Sequence, residues 1–95
     1  MTIARTYIMI AKDGCEAEMK ATVVALAAAL KGIAGFDGVE ALQDRKNPKR
    51  FIFVEKWADE DAQKAAGAHL PKEVMGRLMA AIDGAPDGST YDRLA

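Results

Sequence analysis

The chain is 95 residues long, a length that makes one domain, spanning residues 1–95, and buries only about two thirds of the surface its unfolded form exposes, so a partner subunit would add to its stability. Apolar residues make up 51% of it, but much of that is alanine and aromatics are only 6%, so each large core residue carries weight. With 13 Lys and Arg against 14 Asp and Glu, the net charge is −1 and the basic residues are scattered, which argues against nucleic acid as the main ligand.

From Thr2 to Ala11 the run TIARTYIMIA is rich in β-branched and aromatic residues and ends at Lys12, Asp13 and Gly14, a strand followed by a turn. From Cys15 to Leu30 the period changes: Met19, Val23, Leu26 and Leu30 stand at i, i+4, i+7 and i+11, the apolar stripe of a helix that Gly32 and Gly35 close. FDGVEALQD, Phe36 to Asp44, alternates weakly and reads as a strand with one wetter face. The basic group Arg45, Lys46, Lys49 and Arg50 surrounds Asn47 and Pro48 and reads as a solvated turn. In RFIFVEKW, Arg50 to Trp57, Phe51 and Phe53 alternate with Ile52 and Val54, so the middle of this strand is apolar on both faces. Asp59 is placed to cap ADEDAQKAAGAH, whose early acids suit the positive end of a helix dipole. Pro71 opens another helix, with Val74, Leu78 and Ile82 repeating at i+4 and Met75 and Met79 beside them. The turn-rich tail offers a last strand from Thr90 to Leu94.

The order β, α, β, β, α, α, β is that of an α+β, ferredoxin-like split βαβ fold with a four-stranded antiparallel sheet. Helices on one side leave the opposite sheet face bare. If Ile52 and Val54 are buried as well as Phe51 and Phe53, the simplest cover is the same face of a second copy, which predicts a homodimer through the sheet faces. The single cysteine forms no intramolecular disulfide, and no Cys and His spacing suits zinc, so no metal is expected. No run reaches ~18 apolar residues, and MTIARTYIMIAKDG is too short and polar for a signal peptide. These features predict a cytoplasmic protein without membrane contact.

Taken in order, IAGFDGVEALQDRKNPKRF, the strand end EKW of FIFVEKW, the acidic helix start DEDA and the histidine segment AAGAHLP resemble the antibiotic biosynthesis monooxygenase family of small dimeric α+β-barrel proteins. In that family a strand ending in Glu-Arg-Trp or a close variant precedes a helix with alanine near its start and then histidine; Lys56 here replaces the usual arginine. The resemblance implies two subunits packed sheet on sheet into a dimeric α+β barrel, each with a pocket between sheet and helices. It implies oxygenation of polyphenols or quinols by molecular oxygen, with no metal, flavin or other cofactor. Relatives degrade heme or isomerise small phosphorylated sugars, and others have no known activity.

Such chemistry needs an electron-rich substrate held deprotonated, a base or donor that stabilises the anion, and a dry pocket. The catalytic candidates are His69, Trp57 and Tyr7. His69 has the right unperturbed pKa to take a phenol proton, or else it caps its helix or lies exposed before Pro71. The family often carries two histidines in this segment, and Ala66 stands where the earlier one would be. Trp57 is either a pocket wall or a core residue closing the sheet. Tyr7 shares a strand face with Arg5 and Met9; that face lines the pocket, with a phenol donor and a guanidinium for an anionic substrate, or packs at the dimer seam. Arg5, Met75 and Met79 are the substrate-binding candidates, the two methionines being core filler otherwise. Glu55 faces the same side as Trp57 and is expected to pair with a basic residue at the dimer interface, and Cys15 is expected to be an incidental thiol. Two functions remain open: a cofactor-independent oxygenase of a small aromatic, and a non-catalytic dimeric ligand-binding or stress-related protein of the same fold. An isomerase of a phosphorylated ligand would need Arg5 and Arg77 to face one pocket.

Overall fold

β1 (Ile3–Ile10) and β3 (Arg50–Trp57) form the centre of a four-stranded antiparallel sheet, with β2 (Phe36–Gln43) beside β3 and β4 (Asp87–Asp92) beside β1, in the order β2-β3-β1-β4. A computed structural model describes residues 2–95. The helices α1 (Glu16–Ala29), α2 (Glu60–Ala66) and α3 (Lys72–Ala81), with a single 3-10 turn at Gly67–His69, complete the ferredoxin-like α+β fold. Among the described residues no helix is long and apolar enough to cross a membrane.

Strand alternation divides the central strands into two faces. Phe51, Phe53, Glu55 and Trp57 of β3 are buried toward the helices, while Ile52, Val54 and Lys56 stay half-buried on the other side. The register Tyr7↔Phe53 and Arg5↔Glu55 places Ile3, Arg5, Tyr7 and Met9 on the helix face and Ala4, Thr6, Ile8 and Ile10 opposite. The expected cover on both faces of β3 is therefore complete within one chain only on the inner face.

The stripe Met19, Val23 and Leu26 of α1, with Leu30 at its C-cap, is buried against that inner face, and each such side chain contributes about 1.5–3 kcal/mol. Thr22, buried in the same layer, satisfies its hydroxyl by donating to the Glu18 carbonyl at 2.7 Å. Asp59 caps α2 as its position implies, accepting from the Ala62 N–H at 2.8 Å. Gly35, at φ +82°, turns the chain into β2 directly against α2, and a Cβ there would stand 2.5 Å from the Ala62 Cβ. Its carbonyl accepts from the Ala58 N–H at 2.8 Å, which ties the start of β2 to the start of α2.

The last strand differs from expectation. β4 runs over Asp87–Asp92 rather than Thr90 to Leu94, because pairing Ile3↔Asp92 through Ile8↔Asp87 recruits Asp87 and Gly88, both poor strand formers, into the ladder. Tertiary pairing outweighs local propensity there.

Candidate active site

Between the sheet and the helices lies a cavity of ≈ 130 Å³. Its floor is Tyr7 and Met9 of β1 with Phe53 and Glu55 of β3; its roof is Leu26 of α1 with Met75 and Leu78 of α3; Leu70 and Pro86 close the sides. Two polar side chains face this apolar space, the Tyr7 phenol and the Glu55 carboxyl.

Glu55 is only 8% exposed. Its Oε1 accepts from Trp57 Nε1 at 2.9 Å, and among the described residues no lysine or arginine comes within salt-bridge distance of it. Burial pushes its carboxyl above the ordinary glutamate value, and the Trp57 hydrogen bond and the charge of Arg5 only partly offset that rise. A carboxylate raised in this way is a stronger base than one in water, and so better matched to a phenolic proton. Among the described residues the second carboxyl oxygen accepts no hydrogen bond.

Trp57 lies behind Glu55 with no exposed surface, edge-on to Phe36 at 5.5 Å between ring centroids. It reaches the cavity only through its bond to Glu55. Arg5 is the direct cross-strand neighbour of Glu55, yet its guanidinium turns the other way. Nη1 donates to Thr90 Oγ1 at 2.9 Å, and Cζ lies 5.0 Å from the centre of the Tyr7 ring, a cation–π contact. Gly88 makes room for it, since a Cβ there would stand 2.5 Å from Nη2. Arg5 Nε is buried without a partner.

The residues singled out from the sequence are thus only partly brought together. Tyr7 and Met75 line the cavity; Trp57 stands one bond behind it; Arg5 is outside the lining, held by Thr90 and the Tyr7 ring. His69 is exposed at the end of the 3-10 turn, outside the lining, although Leu70 next to it is a wall. Trp57 and His69 therefore do not meet across one pocket of the subunit. Met79 is 66% exposed. The buried side of α3 is centred near Leu78, and the residue after it is turned about 100° away toward solvent. Arg77 borders a separate surface hollow with Cys15 and Glu18, so Arg5 and Arg77 do not share a pocket.

Glu55 is the residue that sequence reasoning undervalued. It lines the cavity of its own chain beside Tyr7. The signal was its place in period with Phe51, Phe53 and Trp57, which are the inner face of β3. Among the described residues no group of three or more His, Cys, Asp and Glu is placed to hold a metal ion.

A ferredoxin-like sheet roofed by helices, with a small apolar cavity and one buried carboxyl between them, defines a class of small α+β proteins. The sequence model for antibiotic biosynthesis monooxygenase matches residues 1–70, and the chain belongs to that family. The match ends at Leu70, and α3 and β4 follow it to complete the roof and the sheet edge. No functionally curated protein matches the sequence significantly. Among solved structures the chain is similar to SnoaB, a cofactor-independent oxygenase from Streptomyces nogalater, with TM-score 0.85 and 19% identity over 99% of this chain and 94% of that one. It is similar to a putative antibiotic biosynthesis monooxygenase from Bordetella bronchiseptica, with TM-score 0.81 and 17% identity over 99% and 98% of the two chains. Rv0793 from Mycobacterium tuberculosis superposes with TM-score 0.83 at only 9% identity, covering 100% of this chain and 97% of that one. At these identities the likeness is one of fold.

Proposed function

We propose that the chain is a cofactor-independent monooxygenase that joins molecular oxygen to a small aromatic quinol or polyphenol. The observation that carries this is the buried Glu55 carboxyl, raised in pKa, facing an otherwise apolar cavity beside Tyr7. Family membership and the fold shared with SnoaB support it.

In this reaction Glu55 takes the hydroxyl proton of the bound quinol, and Trp57 holds the carboxylate in place through Oε1. The Tyr7 hydroxyl donates to the phenolate oxygen. The phenolate gives one electron to O₂, and the resulting radical and superoxide combine to form a carbon–oxygen bond. The proton passes to the peroxide; its O–O bond breaks as the C–H proton leaves, giving a new carbonyl and one water. The substrate loses two hydrogens and gains one oxygen, so O₂ is fully consumed. The apolar walls exclude water from the radical pair. Glu55 replaces His69 as the base in this scheme, because Glu55 lines the cavity.

A homodimer through the outer sheet face is part of the proposal. That face carries Ile8, Ile10, Ile52 and Val54 half-buried and Leu42 exposed, a patch that a second copy would cover. With its single cysteine outside any disulfide, we place the protein in the cytoplasm.

Oxygen uptake with a panel of hydroquinones and anthrols tests the activity. Glu55→Gln should slow turnover by about 10²–10⁴-fold, and His69→Ala should leave it within about twofold of wild type. Unchanged turnover in Glu55→Gln would refute the assignment of the base. The second reading, a dimeric binding protein without turnover, is favoured by the almost wholly apolar lining of so small a cavity. It gains if ligands bind and no member of the panel consumes oxygen.

A further inference from the structure

We infer that the cavity selects a neutral, single-ring phenol, the size of phenol or hydroquinone, and turns away fused-ring and anionic aromatics. This rests on the oxygenase reading only in naming the ligand a substrate; the selection itself follows from volume, wall stiffness and charge.

An apolar cavity of roughly 150 Å³ takes one benzene ring. The cavity here holds ≈ 130 Å³, so one ring fills it and a second fused ring must displace a wall or stand outside it. Its walls do not yield freely. Phe53, Leu26 and Leu78 are buried members of the main core, and displacing them means repacking neighbours at interior density. Tyr7, Leu70 and Met75 are half-buried and Pro86 is exposed, and of these Met75, unbranched and polarizable, is the wall that yields most readily.

Charge narrows the choice further. A phenol hydroxyl can donate to the free oxygen of Glu55, but a carboxylate or phosphate substituent would enter a cavity whose charged group is itself acidic. The cation nearest in register, Arg5, is committed to Thr90 and to the Tyr7 ring and does not line the space. A buried anion would stand unpaired there. The geometry thus reverses the expectation that Arg5 receives an anionic substrate.

The sole tryptophan supplies the readout, because its indole N–H is bonded to Glu55 and gives a single indole cross-peak in a ¹H–¹⁵N spectrum. Titrations without oxygen would compare phenol, hydroquinone and 4-methylphenol with 1-naphthol, anthrone and 4-hydroxybenzoate. The expected result is that the first three shift the indole peak with dissociation constants at least about tenfold lower than the last three. Met75→Ala should then admit 1-naphthol, closing that gap at least about fivefold, whereas Met79→Ala on the exposed side of α3 should not. Should Met75→Ala fail to fold, the wild-type series alone decides. Equal affinity for 1-naphthol or 4-hydroxybenzoate, or no response to phenol and hydroquinone, overturns the inference. The expected selectivity without oxygen uptake from hydroquinone upholds it and overturns the oxygenase reading instead.

Discussion

Replacing Glu55 with Gln changes a charge and almost no shape, and it should make the protein more stable while removing the proposed base. The Gln carbonyl can still accept the Trp57 N–H, so the 2.9 Å bond behind the cavity is kept. What disappears is a carboxylate 8% exposed, with one neutral donor and no ion-pair partner among the described residues. Its pKa is raised on folding, chiefly by burial, above an unfolded value of about 4.3. Between those two values the native state holds a proton that the unfolded state has released, so stability falls as pH rises. The favourable contribution is fully present below about pH 4 and is lost as pH climbs through the folded pKa. At pH 7 the Gln variant should therefore be more stable by about 1 kcal/mol, or roughly 4–8 °C in Tm for a domain of this size. Calorimetric or circular-dichroism melts of both proteins from about pH 4 to 8 would show the gap opening with pH. A variant less stable than wild type at neutral pH, or a gap that does not depend on pH, would refute the assignment of Glu55 as a buried, uncompensated carboxyl.

Trp57→Phe removes the only hydrogen bond to that carboxyl among the described residues and leaves a void beside Phe36. Urea denaturation should show a loss of about 2–4 kcal/mol, and the pH at which stability declines should move upward because the donor favouring the charged form is gone. Two glycine substitutions should separate by mechanism. Gly35→Ala combines a positive φ with a Cβ 2.5 Å from a helix-anchored Cβ, so it should cost about 2 kcal/mol or more; Gly88→Ala has no positive φ and meets side-chain atoms alone, the Arg5 guanidinium and the Tyr7 ring at 3.3 Å, so it should cost less, about 1 kcal/mol. The reverse order in thermal melts would contradict the packing described for these two sites. Ile52→Lys on the outer sheet face should convert a sedimenting dimer to a monomer while leaving the fold intact, and a wild-type protein that is already monomeric at micromolar concentration would remove the basis for the proposed interface.

Much of the fold was legible because it is written in period. The α1 stripe is buried residue for residue, β3 has the bounds its apolar run implies, and Asp59 caps α2. β4 was misplaced since Asp87 and Gly88 have no strand propensity of their own and are held by β1. At the site, the residue types that suggest chemistry were poor guides to position. His69 is chemically apt and lies at the surface, whereas Glu55 resembles a routine interface carboxylate and lies in the cavity. The direction of the Arg5 guanidinium depends on Gly88 and Thr90, more than 80 residues away in the chain, and no local pattern encodes it.

The stretch FIFVEKW shows why stability and proposed activity should oppose each other here. Alternation sends Phe51, Phe53, Glu55 and Trp57 inward and Ile52, Val54 and Lys56 outward, so a slip of one residue in the pairing of β3 would expose the whole inner set. Phe51, Phe53 and Trp57 make that slip prohibitive by burying large aromatic surface, and in doing so they hold Glu55 where its charge is disfavoured. An apolar residue at position 55 would suit the core better. A carboxyl kept there at a cost in stability, with its Trp57 donor two residues along the same face, is what the proposed role as base requires. The prediction that Glu55→Gln gains stability and loses turnover joins the two halves of that account, and a variant that gains neither would break it.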